Sequence, residues 1–232
     1  MTSGRPQWFA VLSAVMLTLA VGVVLIVYGA QSHPPAAAPL PSKTFDVQPA
    51  ALPPLPPTDP GRPHAVSSPQ PGCAVDIRPS HLVIGSLCID GPVVLTGSTS
   101  EGALIIPPDV HDIGMWDHGA PLVGPDTQPV TAGTTLLAGH VNDYSQGNGA
   151  LYDLYEVTPG SVLYVSDAAG HVTRWRVVAQ SVVVKAALPK SVFAGLNGPR
   201  QLVLVTCGGP IVHIPGYGNS YRDNVIVTAV TA

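Results

Sequence analysis

Charge is scarce in this chain. Its 232 residues carry 10 Lys and Arg against 14 Asp and Glu, a charged fraction of 10% and a net charge of −4. So thin a basic complement excludes the electrostatic footprint of a nucleic-acid-binding protein. Sustained heptads are absent, which excludes a coiled coil, and there is no internal repeat. No Cys-x-x-Cys or His-x-x-x-His spacing occurs, so a zinc site has no ligand pattern to stand on. The Asp residues are scattered, which argues against a calcium cage. No metal or other cofactor is therefore expected. What is abundant is Pro, with 26 residues, and Gly, with 24. That composition suits a β-rich, turn-rich domain joined to a Pro-rich spacer.

The N-terminal region holds a long uncharged run. From Trp8 to Tyr28 there is no charged residue, and the hydroxylic breaks are Ser13 and Thr18. Twenty-one residues at a rise of about 1.5 Å span roughly 31 Å, the thickness of a hydrocarbon core. Arg5 precedes the run and the next basic residue is Lys43. The positive-inside rule then puts residues 1–7 in the cytoplasm, residues 8–30 across the membrane as a single-pass anchor, and the rest outside the cell. The rival is a cleaved signal peptide. Its apolar region is typically about 7–15 residues and ends in a small-x-small site. Here the run is longer, and Tyr28-Gly29-Ala30 places a bulky ring where the first small residue belongs.

Residues 31–72 hold 13 prolines in 42 positions. Such a segment cannot bury a core and cannot donate a full ladder of hydrogen bonds, so it reads as an extended spacer. From Cys73 to Ala232 the character changes to short β-branched runs punctuated by Gly, Pro, Asn and Asp. The strand candidates are His81–Ile84, Val93–Thr96, Thr134–Ala138, Ser161–Val165, Thr173–Val184, Gln201–Thr206 and Asn224–Val230. Gly149–Glu156 and Lys190–Leu196 suit no more than a turn or two of helix. The expected fold of residues 73–232 is all-β, a closed or nearly closed barrel or a sandwich, in one domain.

Three cysteines lie in the region expected outside the cell, where disulfides form. The economical pairing joins Cys73 to Cys88 and leaves Cys207 free; two unpaired thiols are the alternative. A free Cys is often no more than a small buried hydrophobe. The setting of Cys207 suggests more. Gln201–Thr206 and Asn224–Val230 read as antiparallel neighbours joined by a Gly/Pro-rich loop from Gly208 to Tyr221. Pairing them brings Cys207 and Arg222 to one rim. If Thr134–Ala138 leaves at the same rim, His140 joins them. A thiolate, an imidazole and a guanidinium are the parts of acyl transfer: nucleophile, proton carrier and oxyanion partner. His111, His118 and His171 lie in turn-like contexts. His213, in the loop after Cys207, is the competitor for the acid/base role.

These residues carry a resemblance. Leu137-Ala138-Gly139-His140-Val141, Leu204-Val205-Thr206-Cys207 and Tyr221-Arg222-Asp223-Asn224-Val225 resemble, in that order and at separations of 67 and 15 residues, the histidine, cysteine and arginine motifs of the sortases. Leu87 to Val93, Gly114-Met115-Trp116 and Gly119-Ala120-Pro121 resemble further segments of that family. The composition and short domain resemble its actinobacterial class F, or class E, branch. The resemblance implies an eight-stranded sortase-type β-barrel. It implies Cys207 as nucleophile, His140 as general acid/base and Arg222 as substrate and oxyanion partner, with Thr206 supporting the site from its strand end. It implies a membrane-anchored cysteine transpeptidase of Gram-positive cells that cuts an LPxTG-like sorting signal after Thr. The acyl group would pass to an amine of a peptidoglycan precursor in the cell wall. Its partners would be secreted proteins bearing that signal, with no nucleic acid, and the domain would act as a monomer. Cys88 stands where relatives commonly have Gly, and Asn142 where many have Asp.

Two other readings compete. A non-catalytic, anchored wall-binding or adhesive β-domain accounts for anchor, spacer and barrel but leaves the Cys/His/Arg set idle. A thiol hydrolase would use the same set with water as acceptor. Finally, Leu55-Pro56-Pro57-Thr58-Asp59 in the spacer reads almost as a sorting signal, with Asp in place of the final Gly. Chance is the plain explanation in so Pro-rich a stretch; a tethered pseudo-substrate is the functional one.

Overall fold

The structure is a computed structural model that describes residues 43–44, 65–66, 73–100, 102–214 and 218–232, the first two pairs as backbone only. The expected membrane anchor, most of the spacer and the Leu55–Asp59 string lie outside the described residues. Among the described residues no helix is long and apolar enough to cross a membrane.

Eight strands form the body: β1 (His81–Ile84), β2 (Ile89–Thr96), β3 (Ile113–Trp116), β4 (Thr134–Gly139), β5 (Val162–Ser166), β6 (Val172–Val184), β7 (Gln201–Ile214) and β8 (Gly218–Thr231). Their order is β6-β5-β1-β2-β3-β4-β7-β8, and β8 pairs back onto β6, so the sheet closes into a barrel. Closure removes the open edges that a flat sheet would expose. Lys43–Thr44 pairs with Gln180 and Ala179 of β6, and Ala65–Val66 pairs with Val75–Asp76. The helical expectation reduces to short 3₁₀ turns, among them Leu154–Glu156 and Lys190–Phe193.

Strand alternation divides each side chain's fate. Along β7, Leu202 and Leu204 enter the barrel interior with Trp175, Leu137, Val225 and Val227, all fully or almost fully buried. Val203 and Val205 point the other way, into a second cluster with Leu136, Ala138, Val192 and Ile226. That cluster sits beneath a cleft on the outer face of the barrel.

Two pairs in the barrel are parallel, β2 with β3 and β4 with β7. Parallel neighbours need long crossovers. The first, residues 97–112, brings Leu104 and Ile106 onto the outer cluster; the connection from β6 to β7 brings Leu188, Val192 and Phe193. Trp116, at the end of β3, meets Phe193 edge to face at 5.4 Å between ring centres. The crossovers thus become the walls of the cleft.

Cys73 and Cys88 form a disulfide. It holds the segment containing Val75 and Ile77 against Val83 and Tyr164, a small third cluster. At the opposite end of β4 and β7 from the cleft residues discussed below, Arg200 is buried over the Trp175 ring, 4.7 Å from its centre. Its guanidinium donates to the carbonyls of Pro121 and Gly133 and to Thr135 Oγ1. Burial pulls its pKa down to about 10.

Two expectations change. β3 was not among the strand candidates, because Ile-Gly-Met-Trp has neither β-branched alternation nor length. The stretch from Gly208 to Tyr221, expected as a loop, is largely a hairpin. Pairing of β7 with β8 breaks after Gly208↔Asp223 and resumes at Ile211↔Tyr221, running to Ile214↔Gly218. A bulge at Gly209-Pro210 absorbs the residues that read as a loop signal.

Candidate active site

The register between β4 and β7 brings the candidate residues together. Gln201 pairs with Thr134 and Val205 with Ala138, a constant offset of 67 positions. Cys207 and His140 are also 67 apart, so continuing the ladder by two residues sets them level at the same end of two parallel strands. Alternation adds the facing: Cys207 follows Val203 and Val205, and His140 follows Leu136 and Ala138, all on the cleft side. Cys207 and His140 both line one cavity of about 1240 Å³. Cys207 is the free cysteine and is partly exposed.

The intervening residues tie the strand ends. Thr206 is buried, and its Oγ1 donates to the Gly139 carbonyl at 2.9 Å. His140 is held on two sides. Its Nε2 donates to the Pro107 carbonyl at 2.9 Å, which leaves Nδ1 of the neutral ring as the basic nitrogen. The chain then makes a small hairpin, Asn142–Asp143 against Gly147–Asn148, and returns so closely that a Cβ on Gly149 would collide with the His140 carbonyl. Asn142 lines the cavity from this hairpin. Asp143 does too; the Ser145 hydroxyl and backbone N–H, with the Gln146 N–H, hold its carboxylate below its ordinary pKa.

Across the other edge of β7, Cys207 pairs with Asn224 and Gly208 with Asp223. Arg222 is the next residue of β8. Its Nε donates to Asp223 Oδ1 at 2.8 Å and its Nη2 to Oδ2 at 3.1 Å, a fork that raises the already high guanidinium pKa. Arg222 is not among the residues lining the cavity; Tyr221, Asn224 and Lys185 are. Lys185 Nζ donates to Ser220 Oγ at 2.9 Å.

His213 lies on the hairpin arm opposite Asn219, with Nδ1 3.3 Å from Asn219 Oδ1, and is not among the cavity residues. His111, His118 and His171 are paired with Asp109, Asp117 and Asp167 on the surface. Among the described residues no group of three or more His, Cys, Asp or Glu gathers in a way that could hold a metal ion.

The cleft itself is mostly apolar, floored by Leu136, Ala138 and Val205 and walled by Leu104, Ile106, Val192 and Phe193. Its shape and lining suit an apolar, extended ligand, with a thiol and an imidazole among the lining groups. Two contributors escaped sequence reasoning. The Pro107 carbonyl is a backbone group with no side-chain signature. Asp223 stood within the arginine motif, but its burial and its fork onto Arg222 are products of the fold.

The family model described as the sortase domain matches residues 92–232. No curated protein matches the sequence. Among solved structures, the chain is similar to sortase C2 of pilus island 1 from Group B Streptococcus, at 20% identity and a TM-score of 0.46, covering 66% of this chain and 72% of that one. It is also similar to sortase C-1 from Actinomyces oris, at 19% identity and a TM-score of 0.48, covering 67% and 76%.

Proposed function

The chain belongs to the sortase family of cysteine transpeptidases, and from that premise we propose that Cys207, His140 and Arg222 carry the reaction on an LPxTG-like sorting signal. The observation that supports this most is the parallel register of β4 and β7, which sets the thiol and the imidazole level on one cavity.

The Cys207 thiolate attacks the carbonyl carbon of the signal's Thr. Negative charge passes to the carbonyl oxygen, where the Arg222 guanidinium stabilises it. As the C–N bond breaks, protonated His140 gives its proton to the departing amine. A thioacyl-enzyme remains. An acceptor amine attacks that carbonyl, His140 takes up the proton, and the C–S bond breaks to return the thiolate. Thr206 keeps the two strand ends in register while this happens. The acceptor is an amine of a peptidoglycan precursor, and the substrates are secreted proteins carrying the signal.

The remaining proposals concern placement. Residues 8–30 anchor the chain in the membrane of a Gram-positive cell, 31–72 form the spacer, and 73–232 form the catalytic domain outside. The branch proposed is class F or E. Leu55-Pro56-Pro57-Thr58-Asp59 is a pseudo-substrate candidate; removing residues 43–71 tests it through the Michaelis constant and the Cys207 alkylation rate.

The test of function is to incubate the enzyme with a sorting-signal peptide, with and without a small amine, and weigh the products. Amine-capped product supports transpeptidation. Product ending in a free Thr carboxylate under both conditions supports the hydrolase. Uncut peptide sinks both.

A further inference from the structure

Asp223 is a charged side chain placed where solvent does not reach. It is 0% exposed, and both of its oxygens accept hydrogen bonds from Arg222. A buried carboxylate is costly unless paired, so its retention at the end of a barrel strand calls for a reason.

The seat is built by β7. Between Gly208↔Asp223 and Ile211↔Tyr221, two residues of β7, Gly209 and Pro210, stand against Arg222 alone. Gly209 has φ +74°, a conformation open to glycine, and a Cβ there would run into the Asp223 carboxylate. The carboxylate is therefore packed against the bare backbone of Gly209. From Asp223 onward β8 alternates. Val225 and Val227 face the barrel interior, and Ile226 faces the cleft cluster. By the same alternation Asn224 belongs to the cleft face and Asp223 to the interior face; Arg222 stands between Tyr221 and Asp223, beside the cavity that Tyr221 and Asn224 line.

The long Arg222 guanidinium is thus gripped side-on, through Nε and Nη2, by the carboxylate of its chain neighbour. A guanidinium carries five N–H donors in a fixed plane. Fixing two of them on a buried carboxylate constrains the direction of the rest.

We propose that Asp223 is a positioning residue that aims Arg222 at the oxyanion formed at Cys207. The proposal rests on the role assigned to Arg222 above. The bulge at Gly209-Pro210 is part of the device, because it makes room for the carboxylate one rung from the nucleophile, whose own β8 partner is Asn224. A purely structural ion pair would stabilise the barrel end but would not act through Arg222.

The experiment uses the full chain in detergent with a fluorogenic sorting-signal peptide and reads the single-turnover acylation rate. Thermal midpoint and Cys207 alkylation rate are measured beside it. Asp223→Asn keeps the shape and removes the charge. Misaiming a catalytic group by about 1 Å costs on the order of 10²-fold, and a loss of that size is expected, with alkylation of Cys207 nearly unchanged. Gly209→Ala, which displaces the carboxylate by another route, gives the same kinetic loss. In an Arg222→Lys background, already slow, adding Asp223→Asn changes the rate by less than about threefold, because both act through one group. If the two losses multiply instead, or if Asp223→Asn and Gly209→Ala acylate at the wild-type rate, Asp223 does not act through Arg222. Should Arg222→Lys itself match wild type, the reading of Arg222 fails and carries the proposal with it.

Discussion

The Thr206 hydroxyl donates to the Gly139 carbonyl, and these two residues immediately precede Cys207 and His140. One buried hydrogen bond thereby joins the ends of the two parallel strands that present the thiol and the imidazole. Thr206→Val keeps the side-chain shape and leaves a buried carbonyl without its partner. A loss of about 1–3 kcal/mol is expected in chemical denaturation. A fall in kcat/KM should accompany it, while Thr206→Ser retains both. Equal stability of the Val variant and wild type would show that the bond does not hold the strand ends.

The bridge between Cys73 and Cys88 lies away from the cleft, so its reduction should affect stability and not chemistry. A closed loop of 15 residues contributes roughly 3 kcal/mol on the chain-entropy view. Intact mass after alkylation without reductant should show one modified thiol, at Cys207. Three modified thiols would rule the bridge out in solution.

Arg200 tests the barrel independently of the site. Arg200→Ala removes three hydrogen bonds and the stacking on Trp175, and a loss of about 2 kcal/mol or more is expected. Cys207 alkylation by a small reagent should proceed as in wild type. Loss of alkylation together with stability would mean that the two ends of the barrel are coupled.

Acid stability follows from Asp167. Burial works to raise its pKa, but hydrogen bonds from the His171 side chain and backbone, with those of lesser weight, leave it below the ordinary value. A carboxylate whose folded pKa is depressed contributes stability above its unfolded value, near 3.9, and loses it as pH falls through the folded value. The pair is partly exposed, and solvent screening keeps the effect below about 1 kcal/mol. Asp167→Asn should therefore be slightly less stable than wild type at pH 6, and the gap should close below about pH 4. A gap that widens in acid would contradict the assignment.

Much of this was legible in the residues. Gln201–Thr206 and Thr134–Ala138 are dense in apolar and β-branched side chains, and dense runs of this kind become central, doubly covered strands. The motif spacing carried the register as well, since the separation between His140 and Cys207 equals the offset of the β4–β7 ladder. What could not be read was set by tertiary contact. Ile113–Trp116 is a strand because neighbours on both sides supply its ladder. The hairpin beyond Gly208 was hidden by Gly209 and Pro210, which signal a loop when the bulge that houses them is unknown. That bulge and hairpin carry His213 onto an arm. The grip of the Pro107 carbonyl on His140 depends on where a crossover lands, which no local pattern encodes.

The central claim is that Cys207 takes up the acyl half of a sorting signal. The direct measurement is the intact mass of the enzyme after incubation with an LPxTG-type peptide and an acid quench, followed by peptide mapping. The account predicts an added mass equal to the peptide's portion through Thr, attached to the fragment containing Cys207, sensitive to hydroxylamine and absent in Cys207→Ala. An adduct on another residue, or cleaved peptide released by Cys207→Ala, would contradict it.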